Sequence, residues 1–267
     1  MATTTRLIDR PLVAPERRIS GFQPRRVLHH FGKLVDDKED TEQVFHIIDA
    51  TKGRVSHKQG WDFIRSDAGQ RFIQSGEDLP ALLDDHARWA ECAHDSVARR
   101  YIAFMEREGL TARGLVEESH KWAPSEARPH DLTEWYFERL RDTHDLFHVL
   151  TGYGRDALGE ASLLGFSYSQ NHNKGLLFIA YAGAHQIKKV SGTAAPLFAS
   201  VREGQRLGKA AAKIAHEDIE ALMHEDIDAA RDRLNIGKPV IYRECLKTLA
   251  AEGNIEAYVG DADPQAA

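Results

Sequence analysis

His144, Asp145 and His148 stand together in the stretch HDLFH, and eleven residues separate His148 from Glu160. Two imidazoles and two carboxylates are donors that hold Zn²⁺, Fe²⁺ or Mn²⁺; Mg²⁺ is less expected beside imidazole. At about 100° per residue, histidines four apart stand one turn above each other on one helix face, with Asp145 at the edge of the same arc. Buried away from water, these groups need partners, and one divalent cation satisfies all of them. Spacing alone leaves an ordinary reading open. A His pair at i, i+4 arises often by chance, and Arg141, four residues before Asp145, could pair with it on a helix surface.

The elements that must position these residues are helices. Asp131, with Glu134 three residues on, makes a capping-box-like start. Trp135, Phe137, Leu140, Phe147 and Leu150 carry helical apolar spacing, and Gly152 supplies a stop. Together they predict one helix over Leu132–Thr151. Phe137, Leu140 and Thr151 then share the face of the histidines, so the polar trio faces the interior. The turn TGYG reverses the chain, and a second helix from about Arg155 returns Glu160 alongside the first. Ligands on facing helices are how bundles build metal sites. Helical periodicity also covers Asp40–Thr51, Trp61–Ser75, Asp78–Gly109, Gly175–Lys188, Pro196–Leu234 and Pro239–Ala251, whereas strand signals are scarce. The expected class is mainly α: a single-domain helical bundle over 21–255 with a metal-binding helical hairpin, flexible at 1–20 and 256–267.

Composition narrows the function classes. A net charge of −6 argues against a nucleic-acid partner. Cys92 and Cys245 form no CxxC pattern and read as ordinary thiols in a reducing compartment. The N-terminus lacks the apolar core of a secretory signal, and the longest apolar run, Gly175–Ala184, is about half of a bilayer span. The basic, partly amphipathic stretch RVLHHFGKLV (Arg26–Val35) reads as a core-facing helix or as a membrane-surface segment, with Arg25, Arg26 and Lys33 as its cations. Other polar sets are weaker. His216, Glu220 and His224 are spaced to share one helix face and read as a solvated surface. Glu91 with His94, and Glu117 with His120, are ExxH pairs of the di-iron type. SYSQNHNK (Ser167–Lys174) reads as a solvent-facing helix end. No glycine-rich phosphate loop or Ser/His/Asp nucleophile signature is present.

The stretch RLRDTHDLFHVLTGYGRDALGE (Arg139–Glu160) resembles the signature of the coenzyme Q (ubiquinone) biosynthesis protein 4 family: H-D-x-x-H, eleven residues, then E. His144, Asp145, His148 and Glu160 complete it. Phe63–Gln74 and Ser96–Leu110 are similar to upstream helices of that family, and Arg202–Ala211 and Asp228–Pro239 resemble its C-terminal region. The resemblance implies a mostly helical protein of ubiquinone biosynthesis, peripheral on the cytoplasmic side of the inner (cytoplasmic) membrane. It implies oxidative decarboxylation at C1 of a polyprenylated 4-hydroxybenzoate-type head group, with His144, Asp145, His148 and Glu160 as catalytic residues and ligands of a divalent metal. Zinc is the metal it implies; iron, manganese and magnesium stay open. Closed-shell Zn²⁺ cannot itself activate oxygen, so a zinc enzyme would take its electrons from the substrate, a difficulty that iron removes. The implied partners are the polyprenylated hydroxybenzoate lipid, other ubiquinone biosynthesis enzymes and a membrane surface, with no nucleic acid and a homo-oligomer left open. The alternative is a non-catalytic prenyl-lipid-binding scaffold that organises the biosynthetic complex around a structural metal. An HD-type phosphohydrolase, suggested by the His-Asp pair alone, is disfavoured because it would not require His148 and Glu160 at these spacings.

Overall fold

The computed structural model describes residues 6–19, 21–36, 41–122 and 128–254, and among these every regular element is helical. The one strand-like feature there is an isolated antiparallel bridge between Ser96 and Asp226. The helices are Pro24–Asp36 (α1), Thr41–Asp49 (α2), Arg54–Ile64 (α3), Asp67–Ser75 (α4), Leu79–Asp84 (α5), Val97–Glu108 (α6), Ala112–Trp122 (α7), Leu132–Asp142 (α8), His144–Thr151 (α9), Ala157–Asn171 (α10), Lys174–Ser191 (α11), Leu197–Ala210 (α12), Ile219–His224 (α13), Ile227–Arg233 (α14) and Val240–Ala251 (α15). The mainly α class expected from periodicity is therefore the observed one. The chain forms two compact units, one of Met1–Asp145 with Ile214–Ile227, the other of Leu146–Lys213 with Asp228–Ala267. The tail expected at 256–267 lies outside the described residues.

Several long periodic runs are divided by short polar residues that cap a new helix. Ser66 accepts the Gly69 N–H at 3.2 Å and separates α3 from α4. Ser96 accepts the Arg99 N–H and starts α6; Asp218 accepts the Ala221 N–H and starts α13. Each satisfies a donor that the first turn leaves without an intrahelical partner. Helix α7 was not marked by periodicity. The Asp84 carboxylate starts it by accepting the N–H groups of Ala112 and Arg113 at 2.7 and 2.9 Å.

In the first unit, Phe63, Ile64, Phe72, Ile73, Leu132, Trp135 and Tyr136 form a buried cluster from α3, α4 and α8. Gly60 makes room for it: a Cβ there would come within 2.6 Å of the Tyr136 ring. Within the N-terminal segment, Pro11, Ala14 and Arg17 are bonded to the start of α8. Pro11 O accepts the Leu132 N–H, and Asp131 accepts the Ala14 N–H at 2.8 Å. Arg17, with a side chain 6% exposed, donates to Asp131 at 2.6 Å and to Glu134 at 2.9 Å. Asp131 caps α8 through the Glu134 N–H at 2.7 Å, as its position suggested. The Glu134 carboxylate meets Arg17, because a buried guanidinium needs carboxylates around it.

The second unit is built on α10, which packs along α12 and α11. Helices α10 and α12 approach almost to backbone contact. A Cβ at Gly204 would lie 2.2 Å from Ser162 O, and one at Gly208 would lie 2.4 Å from Phe166 O. The buried hydroxyls of Ser162 and Ser200 share a 2.6 Å hydrogen bond within this seam. Helix α15 begins after Pro239, whose side chain makes no cap. The buried Glu203 carboxylate on α12 replaces the cap by accepting the N–H groups of Ile241 and Tyr242 at 2.9 and 3.2 Å.

Gly204→Ala is expected to destabilise the protein by about 1–3 kcal/mol, the usual cost of overpacking. Gly183→Ala, whose Cβ meets only Ala161 at 3.9 Å, is expected to be neutral or to gain about 0.5–1 kcal/mol from helix propensity. Urea unfolding of the two variants against the parent checks the contrast.

Candidate metal centre

The long helix expected over Leu132–Thr151 is two helices, α8 and α9, broken at Thr143. Thr143 leaves helical geometry at φ −86°, ψ 0°. Its hydroxyl donates to Arg139 O at 2.9 Å, a local bond through which Thr competes with the regular ladder. His144 and Asp145 consequently occupy the first turn of a new eight-residue helix. The helix ends at Gly152, which adopts φ +74° and donates to His148 O at 2.9 Å.

One ligand atom from each of His144, Asp145 and His148 lies within 4.8 Å of the others. Asp145 and His148 are buried and His144 is half-buried. Among the described residues this is the one group of three or more His, Cys, Asp or Glu side chains close enough to share an ion. The orientation of His148 is set from the turn behind it. Its Nδ1 lies 3.0 Å from Tyr153 O. A carbonyl only accepts, so Nδ1 carries the hydrogen and, in the neutral ring, Nε2 presents a lone pair. That Nε2 lies 3.4 Å from Glu160 Oε1. A lone pair facing a carboxylate oxygen is satisfied by a cation or a proton between them. The same device, a His donating its far nitrogen to a carbonyl, orients imidazole ligands in metal sites. The donor set therefore fits a divalent cation of the zinc or iron type.

Glu160 is delivered by α10. Asp156 caps that helix by accepting the N–H groups of Leu158 and Gly159 at 3.1 and 3.0 Å. One turn on, the Glu160 N–H closes on Asp156 O at 2.9 Å. Burial pushes the Asp156 carboxyl up from the usual carboxylate range, against hydrogen bonds from Tyr242, Gly159 and Leu158 that hold it down. The Tyr242 hydroxyl donates to Asp156 Oδ2 and accepts the Gly154 N–H at 3.0 Å. Neither this tyrosine nor the Tyr153 carbonyl carried a sequence signal. A backbone carbonyl has none, and Tyr242 lies 88 positions from Gly154.

The other polar sets separate. Arg141 pairs with Asp142 and donates to Ser119 Oγ at 2.8 Å. His216 lies in a short 3₁₀ turn, Ile214–His216, before α13, so it does not share a helix with Glu220 and His224. His216 stacks on Phe63, Glu220 pairs with Arg88, and His224 Nδ1 meets Cys92 Sγ at 3.4 Å. Glu91 and His94 are exposed in the turns before α6, and neither ExxH pair joins a metal-type group among the described residues. The stretch read as a solvent-facing helix end is partly buried: Gln170 donates to Gly208 O at 2.8 Å, and Asn173 caps α11 through the Gly175 N–H.

These features define a helical protein whose site carries the donors of a divalent-metal centre. The coenzyme Q (ubiquinone) biosynthesis protein Coq4 family matches residues 62–240, and the chain belongs to that family, with a role in coenzyme Q biosynthesis. The fold is similar to the crystal structure of a candidate ubiquinone biosynthesis protein from Nostoc punctiforme, with a TM-score of 0.56 at 15% identity, covering 81% of this chain and 100% of that one. None of the curated proteins matches the sequence.

The geometry fixes the tautomer of His148. Long-range ¹H–¹⁵N correlation spectra are expected to show Nδ1 protonated and Nε2 unprotonated in the neutral ring. The opposite pattern would break the link to Tyr153.

Proposed function

We propose that this protein carries out metal-dependent oxidative decarboxylation at C1 of a polyprenylated 4-hydroxybenzoate-type head group, in which the ring loses CO₂ and gains a hydroxyl. His144, Asp145, His148 and Glu160 would hold the metal. Membership of the family supports the pathway. The observation that carries the metal is the Nδ1 bond of His148 to Tyr153 O, with Nε2 turned to Glu160 at 3.4 Å. When bound, a divalent cation supplies a Lewis acid for carboxylate or phenolate charge. Asp145 and Glu160 would bring two negative charges to balance a dication, and two neutral imidazoles would complete the set. Zinc suits it by resemblance, and iron, manganese or magnesium are the alternatives. Dioxygen is the external two-electron oxidant of this reading: water supplies the hydroxyl oxygen, the carboxyl leaves as CO₂, and dioxygen is reduced to hydrogen peroxide.

A second reading has its own support. Four protein donors would fill the tetrahedral coordination of zinc, which is the mark of structural sites; catalytic zinc keeps a position open. On that reading the chain is a prenyl-lipid-binding scaffold for the other enzymes of the pathway.

The proposed location is the one that the family resemblance implies, and the substrate's chemistry agrees with a membrane. Each methylene of a polyprenyl tail costs about 0.8 kcal/mol in water, so the tail stays in a bilayer. No described helix is long and apolar enough to cross one. The protein would work peripherally, on the cytoplasmic side of the inner membrane. Helix α1 is the proposed face, where Leu28 is 62% exposed and the cations Arg25 and Lys33 are also exposed.

His148→Ala is expected to lose most of the bound metal, measured by elemental analysis, with helical circular dichroism kept; stoichiometric metal in this variant would sink the site. A strain lacking the protein should accumulate a polyprenylated ring that keeps its carboxyl group, read by mass spectrometry of lipid extracts. Accumulation of an already decarboxylated intermediate would favour the scaffold.

A further inference from the structure

We propose that Tyr242 is a positioning residue for this metal centre, and that one phenolic hydroxyl aligns both His148 and Glu160; the inference rests on the metal reading above. A hydroxyl can donate once and accept at the same time, and Tyr242 does both. It accepts the Gly154 N–H at 3.0 Å and donates to Asp156 Oδ2. The first bond anchors the residue that follows Tyr153, whose carbonyl takes the Nδ1 hydrogen of His148. The second holds the other oxygen of the carboxylate that caps α10, one turn before Glu160. Both branches are short. From the phenol to His148 the path runs through two hydrogen bonds and the one peptide between them. From the phenol to Glu160 it runs through one cap and one helical turn.

The space around the hydroxyl agrees with this role. A Cβ at Gly154 would lie 2.7 Å from the Tyr242 oxygen and 2.8 Å from Asp156 Oδ2, so the bare backbone of Gly154 lets the clamp close. The Tyr242 ring meets the Tyr153 ring edge-on at 5.2 Å and 67°. Glu203 holds the Tyr242 backbone N–H at 3.2 Å and so fixes where α15 begins. The clamp is buried: Tyr242 and Asp156 are 3% and 7% exposed. Partners of this kind, one step behind the ligands, typically change metal affinity by about 10–100-fold when removed.

Tyr242→Phe keeps the ring and its packing and deletes both hydrogen bonds. Asp156→Asn keeps an oxygen for the helix cap and puts an amide where the phenol donates. Zinc affinity is measured by competition with a chromogenic chelator, and cobalt is loaded as a spectroscopic reporter of ligand geometry. Each variant is expected to bind zinc about 10-fold or more weakly and to shift the visible cobalt bands, while the metal-free protein keeps the parent's circular dichroism. A merely structural tyrosine would lower the melting temperature of the metal-free protein and leave the cobalt bands in place, which overturns the proposal. Parent-like affinity in both variants also overturns it, even where His148→Ala loses the metal and so upholds the site. If the parent itself binds no zinc or cobalt, the site falls and the clamp with it.

Discussion

The hydrogen bond from His148 Nδ1 to the Tyr153 carbonyl is the contact on which the geometry of the candidate metal centre depends. In the neutral imidazole, donation at one nitrogen fixes the tautomer and leaves the other nitrogen to present a lone pair. Here that nitrogen is turned toward a carboxylate from the following helix at 3.4 Å. The bond closes a short loop of chain, from His148 through Gly152 to Tyr153, in which Gly152 at φ +74° makes the reversal. A side chain on residue 152 would resist that backbone. The positive-φ glycine and the orientation of the histidine are therefore one requirement met by neighbouring residues.

Within each unit, buried charges divide labour by sign. Three buried carboxylates act as helix starters. Asp131, Asp156 and Glu203 each accept backbone N–H groups at the head of a helix, where the positive end of the helix dipole favours them. Buried arginines close the account where carboxylates alone would not. Arg17 spans Asp131 and Glu134, and Arg139 reaches Ala215 O, Glu217 O and the Glu77 carboxylate. In each case a charge removed from water meets oppositely charged or dipolar groups, the condition under which such burial is tolerated.

Much of this was legible in the sequence, and the reasons for the rest are physical. Helices α2, α10, α11 and α15 follow from apolar spacing because each begins and ends near a strong local signal. The approach of Glu160 to His148 follows from the turn between them, since few residues are available to do anything but reverse the chain. The divided helices were harder. Thr143, Ser66, Ser96 and Asp218 end or start helices through a hydrogen bond of their own side chain, while the apolar period runs on across them. The same residue types sit harmlessly on helix surfaces, so composition does not distinguish the two cases. Partners far apart in the chain leave no trace in the sequence. Arg17 reads as part of a polar N-terminus until Asp131, 114 positions away, is brought beside it.

The seam between α10 and α12 works as a key in a slot. Glycines at 204 and 208 are notches into which backbone of the other helix fits, and the Ser162–Ser200 hydroxyl pair marks one alignment of the two. Sliding α10 by a single residue would move it about 1.5 Å along its axis, part the two hydroxyls and run the notches against side chains. The helix has one seat along its length. Glu160 rides on that helix, so the axial position of this carboxylate is specified by the fit of two backbones further along the helix, to less than the rise of one residue.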